Sequence, residues 1–549
     1  MSHHRRAARA ALPAALALAA ALLAGCGTTV PLQTQQYVYG GGTAATGGSL
    51  SDGLGDNGLG GTGDEPGGQS SAPLPGQSTA PGQTTLPGTG VTSGGNPGAE
   101  TGSTGAPSSG GKPGKPVVTP AKPGKVDTGY DAIPKTGPGW DAHNVYIGVT
   151  TVNDIATVAT ALGLKSANPG NQVKDGQAMI AELNREGGLF GRKVVLAADN
   201  ESTASLLVDP DQDASQACTH FTQDRPVIAV WNTLTPLDTP TFRSCFAQAH
   251  IPLLSGSIAP TDTAALNDLH GYAISVISPS FTDLAPTLVA RLKAEGFFTG
   301  WNTTTGAPGS APIKVGIIAK NDPTGARAAA LLSAALARAG YAPTAQFNYT
   351  VGASGTTSNL SSAVLQFRAR GITHIFSTDN GYASFLESAN SQHYYPRSAI
   401  SSFQTPELLQ ANAPKKELVG ALGIGADPSI DVAQAQDPGY ITPAEKTCLL
   451  SQQKLQSYSG LRFAEAIGLE YCDAFRLIRA AALAAGGLTG PDLVKGLQLA
   501  GPTYVPSISF ASGLHTNDFA LPGAGRDLAF ETKCQCFAYT STTNYRFGD

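Results

Sequence analysis

The sequence predicts an α/β protein made of two doubly wound parallel-sheet units in tandem, carried behind a long unstructured leader. Three observations predict it. Short apolar, β-branched runs alternate with helical periods from residue 143 onward, and such alternation implies parallel strands with helices on both faces. The alternation restarts after residue 276, so a second unit of similar size follows the first. Before residue 140 neither pattern exists, and Gly, Pro, Ser and Thr dominate. Such a stretch cannot bury enough apolar surface to offset its chain entropy.

The N-terminus comes first. Residues 1–25 hold a basic segment, His3-His4-Arg5-Arg6 with Arg9, then an apolar run from Ala10 to Leu23 containing Pro13. The run is too short for a comfortable bilayer span and reads as a secretory signal core. It ends in Leu23-Ala24-Gly25-Cys26, which resembles the bacterial lipobox. That resemblance implies cleavage before Cys26, acylation of its thiol and anchoring on the extracytoplasmic face of the cell membrane. The alternative is ordinary secretion with an incidental cysteine. No other run is apolar enough to cross a bilayer. Residues 26–139 then form the tether, a flexible coil reaching roughly 55–65 Å. It reads as a plain spacer; a spacer through a cell wall, glycosylated on Ser or Thr or touching wall polymer through the Lys-Pro-Gly repeats of 112–125, is the sharper reading.

The folded part begins near Trp140. His143-Asn144-Val145-Tyr146-Ile147-Gly148-Val149-Thr150 reads as a buried strand. A helix over 172–185 follows, stopped by Gly187-Gly188, then a strand at 193–198. Helix 214–223, strand 227–231, helix 239–249 and strand 251–255 continue the alternation, and a short strand at 272–276 closes the unit. The second unit runs through helix 282–295, strand 314–319, helix 325–339, strand 347–349, helix 360–370, strand 374–377, helix 382–392 and strand 399–403. Strand 421–425, helices 442–458 and 463–486 and a short β-rich tail remain, to be shared between the units.

Composition excludes several function classes. The chain carries 35 Lys and Arg against 40 Asp and Glu, a net charge of −5. No basic stripe suits nucleic acid. There is no nucleophile elbow, phosphate loop, zincin motif or dinucleotide fingerprint. The nine histidines are scattered, with none at metal-ligand spacing from another. The sequence therefore predicts no enzyme, no metal and no cofactor. Cys26 aside, six cysteines remain, an even number in an exported chain, which suggests disulfides. Cys534-x-Cys536 is either a weak metal signal or a local disulfide between two side chains on one face of a strand.

One segment narrows the reading. Asp175-Gly176, Leu183-Asn184, Gly187-Gly188-Leu189, Gly191-Arg192 and Val194, in this order of elements, resemble the type I periplasmic solute-binding proteins of the branched-chain amino-acid and amide-binding group. The glycines serve as a left-handed helix stop and a turn into the next strand rather than as ligand contacts. The resemblance covers about 145–425 well and the remainder loosely. It implies two α/β lobes joined by a three-segment hinge. Lobe 1 takes residues 140–277 and 427–505; lobe 2 takes 278–426, with the 506–549 tail packed mainly on it. Disulfides Cys218–Cys245 and Cys448–Cys472 within lobe 1 and Cys534–Cys536 in the tail fit that division, although a Cys472–Cys534 bridge would instead tie the lobes.

Open α/β sheets bind ligands at the carboxyl ends of their strands. In lobe 1 these loops hold Thr151 and Asn153, then Trp231, Asn232 and Thr233, then Ser255 and Ser257, with Ser278 at the crossing. Ser257 and Thr233 match family loops whose hydroxyls and N–H groups hold a ligand carboxylate, while small polar residues also simply make turns. Trp231 is either core or an aromatic shelf. In lobe 2 the corresponding residues are Asn321, Asp322, Asp379, Asn380, Tyr382, Phe403 and Gln404. Amino-acid binders often place an acid where this chain has Gln404; Asp379 could substitute. Asp322 precedes a Pro-Thr-Gly helix start and fits an N-cap equally well. The resemblance implies a monomeric, membrane-anchored receptor that captures a small polar solute and delivers it to an ABC permease. The alternative is a non-transport sensor or wall-associated lipoprotein on the same fold, which the long tether favours.

Overall fold

The computed structural model describes residues 133–152, 154, 168–233, 237–350 and 356–548. The signal segment, Cys26, the tether up to residue 132 and Asn153 lie outside the described residues. The described part starts already fastened: Ile133 and Trp140 are buried, and the Pro134 carbonyl accepts hydrogen bonds from Trp140 Nε1 (3.0 Å) and Arg192 Nη2 (2.9 Å).

The first lobe runs through β1 (Asn144–Val152), α1 (Gln172–Arg185), β2 (Lys193–Glu201), α2 (Thr203–Val208), α3 (Pro210–Thr219), β3 (Ala229–Asn232), α4 (Pro240–Gln248), β4 (Leu253–Ser255), α5 (Thr263–Asp268) and β5 (Ala273–Ser275). Its strands pair in parallel in the order β2-β1-β3-β4-β5. The chain leaves β1 toward β2 and returns to the other side at β3, so the switch point lies between β1 and β3. Both faces of the sheet are covered, which is why β1 is apolar along most of its length rather than alternating.

The second lobe opens with α6 (Phe281–Ala294), a small hairpin of β6 (Trp301–Asn302) and β7 (Ala307–Pro308), β8 (Val315–Lys320), α7 (Pro323–Arg338), β9 (Ala345–Tyr349) and α8 (Thr356–Arg370). It continues through β10 (His374–Ser377), α9 (Tyr382–Ser391), β11 (Arg397–Ser401), α10 (Pro406–Asn412), α11 (Lys415–Leu418) and β12 (Leu422–Gly425). After α12 (Pro428–Asp431) the chain forms α13 (Pro443–Gln452), α14 (Arg462–Ala485) and α15 (Gly490–Ala500); α13 and α14 pack on α1, and α14 also meets β3. The chain then crosses again, and β13 (Ala524–Glu531), β14 (Cys536–Tyr539) and β15 (Tyr545–Arg546) complete the second sheet. Its order is β14-β13-β12-β11-β10-β8-β9, with β13 and β14 antiparallel. Its switch point lies between β8 and β10.

The architecture is the expected mixed α/β one with parallel sheets. The helix stop after α1 works as the sequence implies: Gly188 has φ +68°, and a Cβ there would lie 2.0 Å from the Arg192 carbonyl oxygen. Several boundaries differ from the sequence expectation. Helix α3 begins earlier, because Asp209 caps it by accepting from the Gln212 N–H and Pro210 supplies its first position. The strand expected at 399–403 stops at Ser401. There Gln404 Oε1 accepts from the Ser401 N–H (2.7 Å) and pulls 402–404 into a 3₁₀ turn. The helix expected at 442–458 stops at Gln452, beyond which Gln456 and Tyr458 turn to bond the buried Asp175 carboxylate. The structure pairs Cys218 with Cys245, Cys448 with Cys472 and Cys534 with Cys536. Cys534 lies in the turn before β14 rather than on a strand.

Candidate functional site

Segments that follow β3 and β4 in the first lobe face the loops after β8 and β10 in the second across a cleft of about 380 Å³. Asp238, Arg243, Ser257 and Pro260 line it from the first lobe; Lys320, Asp322, Arg327 and Asp379 line it from the second. Of the residues the sequence singles out, the structure brings Ser257, Asp322 and Asp379 to this cavity.

The first-lobe loops are held by their own hydroxyls. Thr150 donates to Asn232 Oδ1 (2.7 Å), and Thr233 donates to the Thr150 carbonyl (3.0 Å), which locks β1 to β3 at the switch point. Ser255 Oγ donates to Asp238 (2.7 Å) and accepts from the Ser257 N–H (3.1 Å). Ser257 Oγ accepts from the Ala259 N–H, and its carbonyl accepts from Ser278 Oγ. Thr151 faces the other way, donating to β2 at the Asp199 carbonyl (3.2 Å). Trp231 sits wholly in the core with its ring edge-on to Tyr471 at 5.9 Å. Gly256 passes so close above it that a Cβ would lie 2.8 Å from the indole and 3.1 Å from Glu470 Oε2.

In the second lobe Asp379 organises the site. Its carboxylate accepts from the Tyr349 hydroxyl, the Gly381 N–H (2.9 Å) and the Thr378 hydroxyl (3.1 Å). Burial, with the Asp379 charge beside it, pushes the Tyr349 phenol well above its ordinary value, so it stays a donor. Gln404 is buried and spans loops: its amide nitrogen donates to the Ser377 and Asp379 carbonyls (3.1 and 3.3 Å). Asp322 accepts from the Gly325 N–H (2.7 Å), capping α7 at the cleft edge. Asn321 is exposed and Asn380 half-buried. Tyr382 lies in the lobe core, sharing a hydrogen bond with Ser398 (2.6 Å). Phe403 packs against Phe281 at 5.5 Å, beside the chain's first crossing.

Three features escape sequence reasoning. Arg243 binds the buried Asp238 carboxylate through two hydrogen bonds (2.7 and 2.6 Å). Burial pushes Asp238 up, and the Arg243 charge and hydrogen bonds more than reverse that, so it remains ionised. Across the cleft, Arg327 Nε of α7 lies 2.8 Å from Asp262 Oδ2 at the start of α5, an ionic contact without hydrogen-bond alignment. Beneath Gly256, Glu470 Oε2 has no hydrogen-bond partner among the described residues, and burial holds its carboxyl well above the usual range. The sequence signal for the first pair is no more than the five-residue offset from Asp238 to Arg243, which by itself does not show that the two are buried together.

Residues 155–504 match the family model described as periplasmic binding protein. The chain belongs to the type I periplasmic binding proteins. This is a family of extracytoplasmic solute-binding proteins that work with ABC transporters, not of enzymes. Among curated proteins none matches the sequence. Solved structures share the fold. One is a branched-chain amino acid ABC transporter protein from Thermus thermophilus with bound valine. It is 13% identical, covers 74% of this chain and 97% of its own, and has a TM-score of 0.52. A solute-binding protein from R. palustris in complex with 4-hydroxybenzoate is 12% identical over 74% and 98%, with a TM-score of 0.53. A fatty acid ABC transporter substrate-binding protein from Thermomonospora curvata is 14% identical over 76% and 95%, with a TM-score of 0.52. No helix among the described residues of this periplasmic binding protein is long and apolar enough to cross a membrane. No group of three or more His, Cys, Asp or Glu among them is placed to hold a metal ion.

Proposed function

We propose that the protein is a lipid-anchored extracytoplasmic receptor that closes its two lobes on a small polar solute and delivers it to an ABC permease. The observation that carries this reading is the cleft itself. It lies at the carboxyl ends of both sheets, and each lobe contributes polar side chains to it. Ser257, Asp322 and Asp379 border the solute in this reading. Thr233, Ser255, Ser278 and Gln404 hold the loops that present them. An amino acid, an amide or a related solute with an apolar part fits a wall that joins charged side chains to Pro240, Ala259, Pro260, Ala265 and Leu269, and the valine bound to the Thermus thermophilus protein supports that range. Ligand favours the closed state by binding it better than the open one.

The anchor rests on Cys26. A fatty-acid analogue fed to the cells should label the parent chain and fail to label a Cys26→Ala variant; a parent chain that takes no label would end the lipoprotein reading. The solute is tested by thermal shift of the mature chain against a library of amino acids, amides and small carboxylates. A solute at 100 times its Kd should stabilise the fold by about 2.7 kcal/mol. A library in which nothing raises the melting temperature would remove the support for solute capture. The length of the 26–139 segment favours a second reading, a sensor or wall-associated module, because docking on a membrane permease needs less reach. Co-purification with a permease decides for transport, and with wall polymer for the second reading.

A further inference from the structure

We propose that the Cys534–Cys536 bridge is a thiol–disulfide exchange site, attacked at Cys534, whose substrates are small or protein-borne thiols. The bridge differs from the other two in position. Both cysteines of Cys448–Cys472 are fully buried within helix packing, and in Cys218–Cys245 the first is 1% exposed and the second half-buried, whereas Cys534 is exposed. Cys534 stands at the tip of the β13–β14 hairpin, where Thr532, Lys533 and Gln535 are all exposed as well. Cys536 is the first residue of β14, opposite Glu531, and is 8% exposed. An incoming thiolate therefore reaches one sulfur and not the other.

The backbone between them is set for opening. Gln535 has φ +54°, the left-handed region that non-glycine residues seldom adopt. The bridge spans a single residue, so it holds closed very little chain and its loss leaves the sheet pairing of β13 with β14 in place. Opening lets Gln535 leave the left-handed region. Exchange runs in two balanced steps. A thiolate bonds to Cys534 Sγ, the Sγ–Sγ bond breaks, and Cys536 leaves as a thiolate that takes a proton from water. A second thiolate then attacks the incoming sulfur, expels Cys534 as a thiolate and leaves the two substrate thiols joined as a disulfide, the bridge having taken up the two electrons; where no second thiol arrives, Cys536, held two residues away, attacks Cys534 Sγ, expels the first thiol and restores the bridge. Lys533 beside Cys534 places a positive charge where the attacking thiolate arrives and where a reduced Cys534 would ionise.

The test exposes the mature chain to limiting reduced glutathione, blocks free thiols with iodoacetamide and maps peptides over time. Labelling of Cys534 and Cys536 should outpace that of the other four cysteines at least tenfold. In a Cys536→Ser variant, oxidised glutathione should place its adduct on Cys534 and the adduct should persist, because the resolving thiol is gone. Labelling of all six cysteines at one rate, or a Cys536→Ser variant whose Cys534 takes no glutathione, overturns the proposal.

Discussion

Single buried charges set the strongest tests at the residue scale. Asp238 is fully covered and owes its ionised state to Arg243. Arg243→Ala leaves that charge without its partner, so a loss of about 3–5 kcal/mol is expected. Adding Asp238→Asn in the same background should return most of it, which a denaturation series on both variants would show. Glu417 is the opposite case. It is 1% exposed, neither carboxyl oxygen has a hydrogen-bond partner among the described residues, and burial lifts its pKa to about 9. A carboxyl raised this way binds its proton more tightly folded than unfolded. Its contribution is whole below about pH 4.5 and is lost as pH rises toward 9. Burial raises Asp427 to about 7 and Asp431 to about 8 in the same sense. His374 opposes them at the acid end: burial lowers it to about 4, so its contribution falls away below about pH 6.5. Three raised carboxyls outweigh one depressed imidazole, so melting temperature should decline steadily from about pH 5 to pH 9. Glu417→Gln should flatten the alkaline decline, by about 1 kcal/mol for each pH unit between 5 and 9. An alkaline limb unchanged in that variant would rule Glu417 out as its cause.

At the scale of elements, the two long-range bridges and the short one should behave differently. Cys218–Cys245 fastens α3 to α4 across 27 positions, and Cys448–Cys472 fastens α13 to α14 across 24. Replacing either pair by serine should cost about 3–4 kcal/mol by loop-closure entropy, and replacing Cys534–Cys536 under about 2 kcal/mol. Urea midpoints of the three double variants check the order. Elements were also the scale most legible in the sequence. The β-branched runs at 145–149 and 315–319 could only be buried strands, and Gly187-Gly188 could only end a helix. Boundaries that depend on side chains from elsewhere were not legible. Nothing near residue 452 announces that Gln456 and Tyr458 will turn toward Asp175 on α1. The site was legible only in outline. Strand order located the loops of Ser257, Asp322 and Asp379 at the cleft, because carboxyl ends follow from topology. Whether Ser255 and Thr233 present their hydroxyls to a solute or bind them internally depends on partners such as Asp238 and the Thr150 carbonyl, which only the folded chain brings together.

At the scale of the whole clamp, what matters is the balance between open and closed lobes. Arg327 of the second lobe meets Asp262 of the first at 2.8 Å, and Asp262 also caps α5 by accepting from the Ala265 N–H. In the proposed clamp, opening the cleft would part these two groups, so the contact would favour the closed state over the open one. The Arg327 side chain is 47% exposed, and such a pair is worth less than about 1 kcal/mol. Arg327→Ala should therefore weaken solute affinity by up to about fivefold. The folded state should keep its melting temperature within a degree or two in the absence of solute, since the pair adds little to either lobe alone. Small-angle scattering of the mature chain should show the unliganded ensemble shifted toward a larger radius of gyration, with the saturated value unchanged. Raised salt should mimic the substitution in the parent chain and have little further effect in the variant, because screening and deletion remove the same interaction. An Arg327→Ala protein with parental affinity and parental salt dependence would show that the contact does not bias closure.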